Sequence, residues 1–209
     1  MPIQTTSGFS DTPSLLLFDL GGVLIENAGF ERLNCLLPKA IDETSLKERW
    51  LYSPTVRSFE LGESSPHDFA EKFIAEWALQ LSPEAFLKEF MTWPKGFYPD
   101  ARETIRSLRQ KHRVACLSNS NPLHWEKFGG FAEDFDIALS SHLLGAIKPD
   151  REAFLLAITA CGVEPGNIRF FDDSAANIHA ARNQGMQAFH IEGFESLLRV
   201  LRSEGLLPG

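Results

Sequence analysis

From residue 99 to residue 203 the chain alternates between short runs of apolar, β-prone residues and longer stretches with apolar residues every three or four positions. A strand, a helix and another strand form the repeating unit of a parallel sheet, because the helix carries the chain back to the edge where the next strand must start. Asp100 and Glu103 predict a capping box for a helix through about Gln110, with Ala101, Ile105 and Leu108 on one face. Residues 113–118 then read as a strand, 121–128 as a helix and 135–139 as a further short strand. Pro149 opens a helix carrying Phe154, Ile158 and Cys161, and residues 167–171 form the next apolar run. A small-residue helix over 174–184, a strand over 187–191 and a last helix with Phe194, Leu197, Leu198 and Leu201 complete the series. The expected core is an α/β, doubly wound parallel sheet.

Upstream, Leu15-Leu16-Leu17-Phe18 is one more buried-strand run, and it ends in Asp19 followed by Gly21 and Gly22. Residues 28–97 differ. Phe69, Phe73 and Trp77 mark one helical stripe, Phe86, Phe90 and Met91 another, and nothing there alternates with period two. Pro54, Gly62, Pro66, Pro83 and Pro94 punctuate the segment into four or five helices, too many for one crossover between neighbouring strands. It is therefore expected to be an all-helical subdomain inserted into a core made of 1–27 and 98–209, with hinges near 26–29 and 93–99.

The 28 acidic residues against 20 basic ones give a net charge of −8, and no Lys/Arg cluster offsets it, which argues against a general nucleic-acid binder. No run approaches the ~18 apolar residues of a membrane span. Residues 1–14 read as a loose tail rather than a signal peptide. Cys35, Cys116 and Cys161 are odd in number, far apart and set among apolar residues, so reduced core thiols and a cytoplasmic setting are expected.

Several of the predicted strands end in polar residues: Asp19, Ser118-Asn119 and Asp172-Asp173, with Lys148 in a loop between two of them. In a doubly wound sheet the carboxyl ends of parallel strands share one crevice, so these distant positions become neighbours. Each has a bland explanation. Asp19 is an ordinary turn residue type, Asp173 or Ser174 could simply cap the next helix, Ser118-Asn119 suits a strand-to-helix turn, and most lysines are solvated. The bland account fails on the set: three carboxylates in one crevice repel one another unless cations offset them, and Mg²⁺ together with Lys148 would supply that charge.

The segments FDLGGVL (18–24), LSNS (117–120), LGAIKPD (144–150) and FFDDSAANI (170–178) occur in the order found in the haloacid dehalogenase (HAD) superfamily, which the chain resembles over nearly its whole length. They look closest to the branch of sugar-phosphate phosphatases and the phosphatase domain of soluble epoxide hydrolases. The resemblance implies a Rossmann-like core, a small helical cap at the position of the insertion, and a hydrolase acting on a small phosphorylated metabolite with Mg²⁺, as a monomer or homodimer. Carried over residue by residue, Asp19 is the nucleophile and a metal ligand, the Gly21 carbonyl and Asp173 are further ligands, and Asp172 binds directly or through water. Ser118 would bond a phosphoryl oxygen, Asn119 would line the pocket through its backbone N–H, and Lys148 would offset charge.

One departure matters. Most phosphatases of the superfamily place a second aspartate, the general acid, two residues after the nucleophile, whereas this chain has Gly21; some members of the resembled branch share that glycine. Glu26 and Glu60 are candidate substitutes. Two other readings stay open: a metal-independent dehalogenase, which has no use for the Asp172-Asp173 doublet, and a binding or regulatory module that has lost catalysis at Gly21. The six histidines show no metal-ligand spacing, and Ser118 with His124 lacks the Gly-x-Ser-x-Gly elbow of a serine hydrolase.

Overall fold

The computed structural model describes residues 15–208; the expected tail at 1–14 lies outside them. In chain order the elements are β1 (Leu15–Phe18), β2 (Ile25–Asn27), α1 (Gly29–Leu36), α2 (Glu43–Tyr52), α3 (Pro54–Glu60), α4 (Pro66–Trp77), α5 (Pro83–Phe90) and β3 (Pro94–Phe97). They continue with α6 (Ala101–Arg109), β4 (Arg113–Ser118), α7 (Pro122–Lys127), β5 (Ile137–Ser140), α8 (Ser141–Leu144), α9 (Arg151–Cys161), β6 (Ile168–Asp172), α10 (Ala175–Asn183), β7 (Gln187–His190) and α11 (Phe194–Ser203).

The main sheet is five-stranded, in the order β5-β4-β1-β6-β7, and every pair in it is parallel. The chain winds outward from β1 to one edge, then returns and winds to the other. The winding direction therefore reverses beside β1, and the crevice at its carboxyl end is where such sheets bind ligands. β1 is inaccessible on both faces. Leu16 and Phe18 join Ile105, Leu108, Leu197 and Leu201 on the side of α6 and α11. Leu15 and Leu17 join Phe154, Ala157, Cys161, Ile178 and Ala181 on the side of α9 and α10. Each leucine so buried contributes about 1.5–3 kcal/mol. That is why the run is continuously apolar rather than alternating.

The insertion has its own cluster, with Leu33, Leu46, Phe59, Phe69, Phe73, Trp77, Phe86 and Phe90 at its centre. Three of its helices begin by one local device, a serine followed by proline. Ser53, Ser65 and Ser82 accept bonds from the N–H groups of Val56, Asp68 and Ala85, while the proline occupies the first helical position, where no N–H is needed.

Several expectations change. Segment 28–97 is not wholly helical: Pro94–Phe97 pairs antiparallel with Ile25–Asn27, so the entry and exit of the insertion run side by side as a two-stranded stalk. Pro94 and Gly96 remove the side-chain alternation that would have marked the strand. Asp100 precedes α6 but makes no side-chain cap, because the turn out of β3 holds it at φ 64°, a left-handed conformation that Asp tolerates and that aims its carboxylate elsewhere. The helix expected from Pro149 starts at Arg151. Cys116 and Cys161 are buried, but Cys35 is exposed, since it lies on the outer side of α1.

Candidate functional site

Asp19 follows β1 directly, and its backbone N–H donates to the Phe171 carbonyl of β6 at 2.8 Å, so the sheet ladder itself sets where the carboxylate emerges. The Lys148 ammonium, 1% exposed, lies 3.0 Å from Asp19 Oδ1 and 2.6 Å from Asp172 Oδ2. Carboxylate oxygens of Asp19, Asp172 and Asp173 lie within 4.8 Å of one another. The groups that sequence reasoning assigned to one crevice are thus brought together across more than 150 residues of chain.

Local bonds hold this cluster in shape. The Asn119 side chain grips the backbone of Lys148 twice: Oδ1 accepts from Lys148 N–H at 2.9 Å and Nδ2 donates to the Lys148 carbonyl at 2.8 Å. Asn119 was expected to serve through its backbone N–H; its side chain has a positioning task that the motif alone did not reveal. Ser141 Oγ ties down the same loop, accepting from Ser120 N–H and donating to the Ser120 carbonyl. Ser118 is buried, and among the described residues its hydroxyl has only a distant neighbour, the Asn119 carbonyl at 3.5 Å, so it is available to a ligand oxygen.

The two adjacent aspartates have different surroundings. Asp172 is fully buried and its oxygens accept from Lys148 Nζ, Ser174 N–H and Asn177 Nδ2. Its lone pairs are therefore already engaged. Asp173 reaches solvent, and its carboxylate lies over Gly22, where φ is +75° and a Cβ would collide with it. Gly22 is thus required twice, for the turn and for this close approach. The Gly21 carbonyl accepts no hydrogen bond among the described residues.

Charge is unbalanced here: three carboxylates face one lysine. Burial pushes the Asp19 carboxyl up to about 7, with Lys148 opposing and Asp172 and Asp173 adding to the rise. Removal from water and the Asp172 charge push Asp173 up to about 6, although its side chain still reaches solvent. Burial alone would lower the Lys148 ammonium, but Asp172 and Asp19 more than offset it and hold it above the ordinary lysine range. A further cation would relieve the surplus. The clustered carboxylate oxygens of Asp19 and Asp173 are hard donors of the kind Mg²⁺ accepts, an ion that keeps several waters and needs few protein ligands. Asp172, saturated by Lys148 and Asn177, is better placed to orient the lysine than to bind an ion directly.

Of the two candidate replacements for the absent aspartate, Glu26 is exposed on β2, whereas Glu60 is buried. Gly21 itself borders a cavity of about 60 Å³ shared with Asn27, Ser120, His124 and Trp125. His124 is not a triad member. It bonds the Phe90 carbonyl at 2.9 Å, stacks on the Phe90 ring at 4.1 Å, and burial lowers it to about 4, so it joins the core to the insertion as a neutral ring. Phe59 and Trp93 are packed within the insertion, Trp50 lies against them, and Tyr52 is exposed.

Comparison with known proteins agrees with this geometry. The family model of haloacid dehalogenase-like hydrolases matches residues 13–185. A phosphatase of Mycobacterium tuberculosis is 32% identical over 109 residues, half the length of each chain. D-ribitol-5-phosphate phosphatase of Bacteroides thetaiotaomicron is 23% identical over 85% of this chain and 91% of its own. Phosphoglycolate phosphatase of Pseudomonas putida is 27% identical over 84% of this chain and 68% of its own. A HAD family enzyme from B. thetaiotaomicron, solved with magnesium and inorganic phosphate, superposes with a TM-score of 0.69 at 23% identity, covering 87% of this chain and 95% of that one. The crevice chemistry and the family match together lead to one conclusion: the chain belongs to the haloacid dehalogenase-like hydrolases.

Proposed function

We propose that this protein is a Mg²⁺-dependent phosphatase of small phosphate monoesters, working through an aspartyl-phosphate on Asp19. The observation that carries the reading is the convergence of Asp19, Asp172 and Asp173 around Lys148 at the carboxyl ends of β1 and β6. Relatives named as phosphatases support the substrate class.

A carboxylate oxygen of Asp19 attacks phosphorus, displacing the alcohol, and water then attacks the phosphorus of the aspartyl-phosphate and restores the free carboxylate. Ser118 donates its hydroxyl to a transferring oxygen, and Lys148 offsets charge as it builds on Asp19 and the phosphoryl group. Asp172 and Asn119 keep Lys148 on target. Held by Asp19, Asp173 and the Gly21 carbonyl, Mg²⁺ would supply positive charge that favours ionised Asp19 and draws charge from the phosphoryl oxygens. The insertion, docked beside the crevice, keeps bulk water from the first step.

A panel of phosphorylated metabolites assayed with Mg²⁺, with EDTA and with Asp19→Asn tests this reading. Turnover of at least one monoester, abolished by EDTA and by Asp19→Asn, is expected. Metal-independent dehalogenation, or phosphate binding with no turnover, would replace it by one of the other two readings.

A further inference from the structure

We propose that Glu60, reaching from the helical insertion, is the acid–base catalyst that stands in for the aspartate absent at Gly21. The inference rests on the phosphatase reading above.

Glu60 closes α3 and is 8% exposed, yet among the described residues its carboxyl has no hydrogen-bond partner. Burying a carboxyl without a partner is costly, and the end of a helix, where carbonyl dipoles point outward, is an unfavourable place for it. Packing explains its neighbours but not Glu60. Phe59 stacks on Phe69 at 4.1 Å and fixes the rotation of the helix. Arg57, the nearest cation on the same helix, turns to Asp150 instead, two residues beyond Lys148. The turn after Glu60 lies against the core at Gly62, where φ is +78° and a Cβ would sit 2.8 Å from the His142 carbonyl oxygen. The end of α3 is thus pinned on both sides of Glu60, to Asp150 just beyond Lys148 and to α8, which follows the carboxyl end of β5.

The charges that Glu60 feels are those of the reaction centre: Lys148 first, then Asp19, with Arg57 behind. Burial pushes Glu60 up to about 8, against the pull of Lys148, so near neutral pH the group holds the proton that an acid must start with. Glu26, by contrast, is exposed on β2. The steps balance. As the Asp19–phosphorus bond forms and the phosphorus–alkoxy bond breaks, Glu60 gives its proton to the departing oxygen and the alcohol leaves. Glu60, now ionised, takes a proton from the water whose oxygen attacks phosphorus. The bond from phosphorus to Asp19 breaks, phosphate leaves, and Glu60 is again protonated.

The test compares kcat/KM of wild type, Glu60→Gln and Glu60→Asp on an alkyl monoester that wild type hydrolyses and on acetyl phosphate, a small substrate whose leaving group needs no proton. For Glu60→Gln the expected result is a loss of roughly 10²–10⁴ on the alkyl ester. On acetyl phosphate kcat/KM should be unchanged while phosphoenzyme accumulates, because the second step has lost its base. Equal losses on both substrates would mean a packing or binding role and overturn the proposal, as would no loss on the alkyl ester. If Glu60→Gln does not fold, Glu60→Asp decides by the same contrast, with the alkyl ester again expected to suffer more. Wild type that turns over neither acetyl phosphate nor any alkyl monoester of the metabolite panel would sink the phosphatase reading itself, and this proposal with it.

Discussion

The sheet and the helical insertion handle buried charge in opposite ways. At the carboxyl ends of β1 and β6 the buried groups are cross-linked: Lys148 lies between Asp19 and Asp172, Asn177 and Ser174 complete Asp172, and Asn119 anchors the lysine backbone. The insertion is held mainly by ring packing, with Phe73 stacked on Trp77 and Phe86, and among the described residues it buries the Glu60 carboxyl with no bond to it, as it does Oε2 of half-buried Glu76. A bonded group is held in one place by its partners. An unpaired one is held in place by packing while its proton stays exchangeable. The contrast separates fixed electrostatics in the core from proton transfer delivered by the insertion.

The largest effect should come from breaking the cross-link. Lys148→Met leaves Asp19 and Asp172 facing each other in a dry site, and removal of one partner from a buried pair costs about 3–5 kcal/mol. A thermal melt should register that loss alongside collapse of turnover; a melt equal to wild type would mean that the carboxylates do not need the lysine.

A second prediction concerns pH in the metal-free protein. Asp19 is raised from 3.8 to about 7 and Glu60 from 4.5 to about 8. Between those values the folded chain holds protons that the unfolded chain has released, so stability from the neutral carboxyls is full below about pH 4 and is lost as pH rises toward 8. Melting temperature in EDTA should therefore fall from pH 5 to pH 8, and excess Mg²⁺ should flatten the Asp19 part of the decline. A rise over that range in EDTA would contradict both assignments.

The smallest effect sharpens the comparison from the insertion side. Ser65→Ala removes the bond from Asp68 N–H at the start of α4 and should cost about 1 kcal/mol, with kcat/KM unchanged because the cap lies outside the crevice. A change in kinetics without a change in stability would show that the insertion communicates with the site more widely than through the end of α3.

Much of this molecule is legible along the chain because its signals are local. The run Leu15–Phe18 declares a two-sided buried strand, and helical periodicity marks α6, α9 and α11. Asp19, Ser118 and Asp172-Asp173 are recognisable as crevice residues once their strands are ordered. The β2–β3 stalk carries no pattern along the chain because its strands are only a few residues long and the second contains Pro94 and Gly96. The close approach that requires Gly22 is invisible along the chain, since its clash partner Asp173 lies 151 positions away.

By itself the sequence determined the succession of helices and of the strands of the main sheet, and the chemical types at those strand ends, because periodicity, caps and turn residues act within a few positions. Tertiary structure decided the rest: that β1 lies at the reversal point of the sheet, that Asn119 grips Lys148 by its side chain, that Asp172 is saturated while Asp173 is open, and that Glu60 rather than Glu26 is buried beside the crevice. Those outcomes depend on which distant backbones approach and what water they exclude, and no local pattern encodes that.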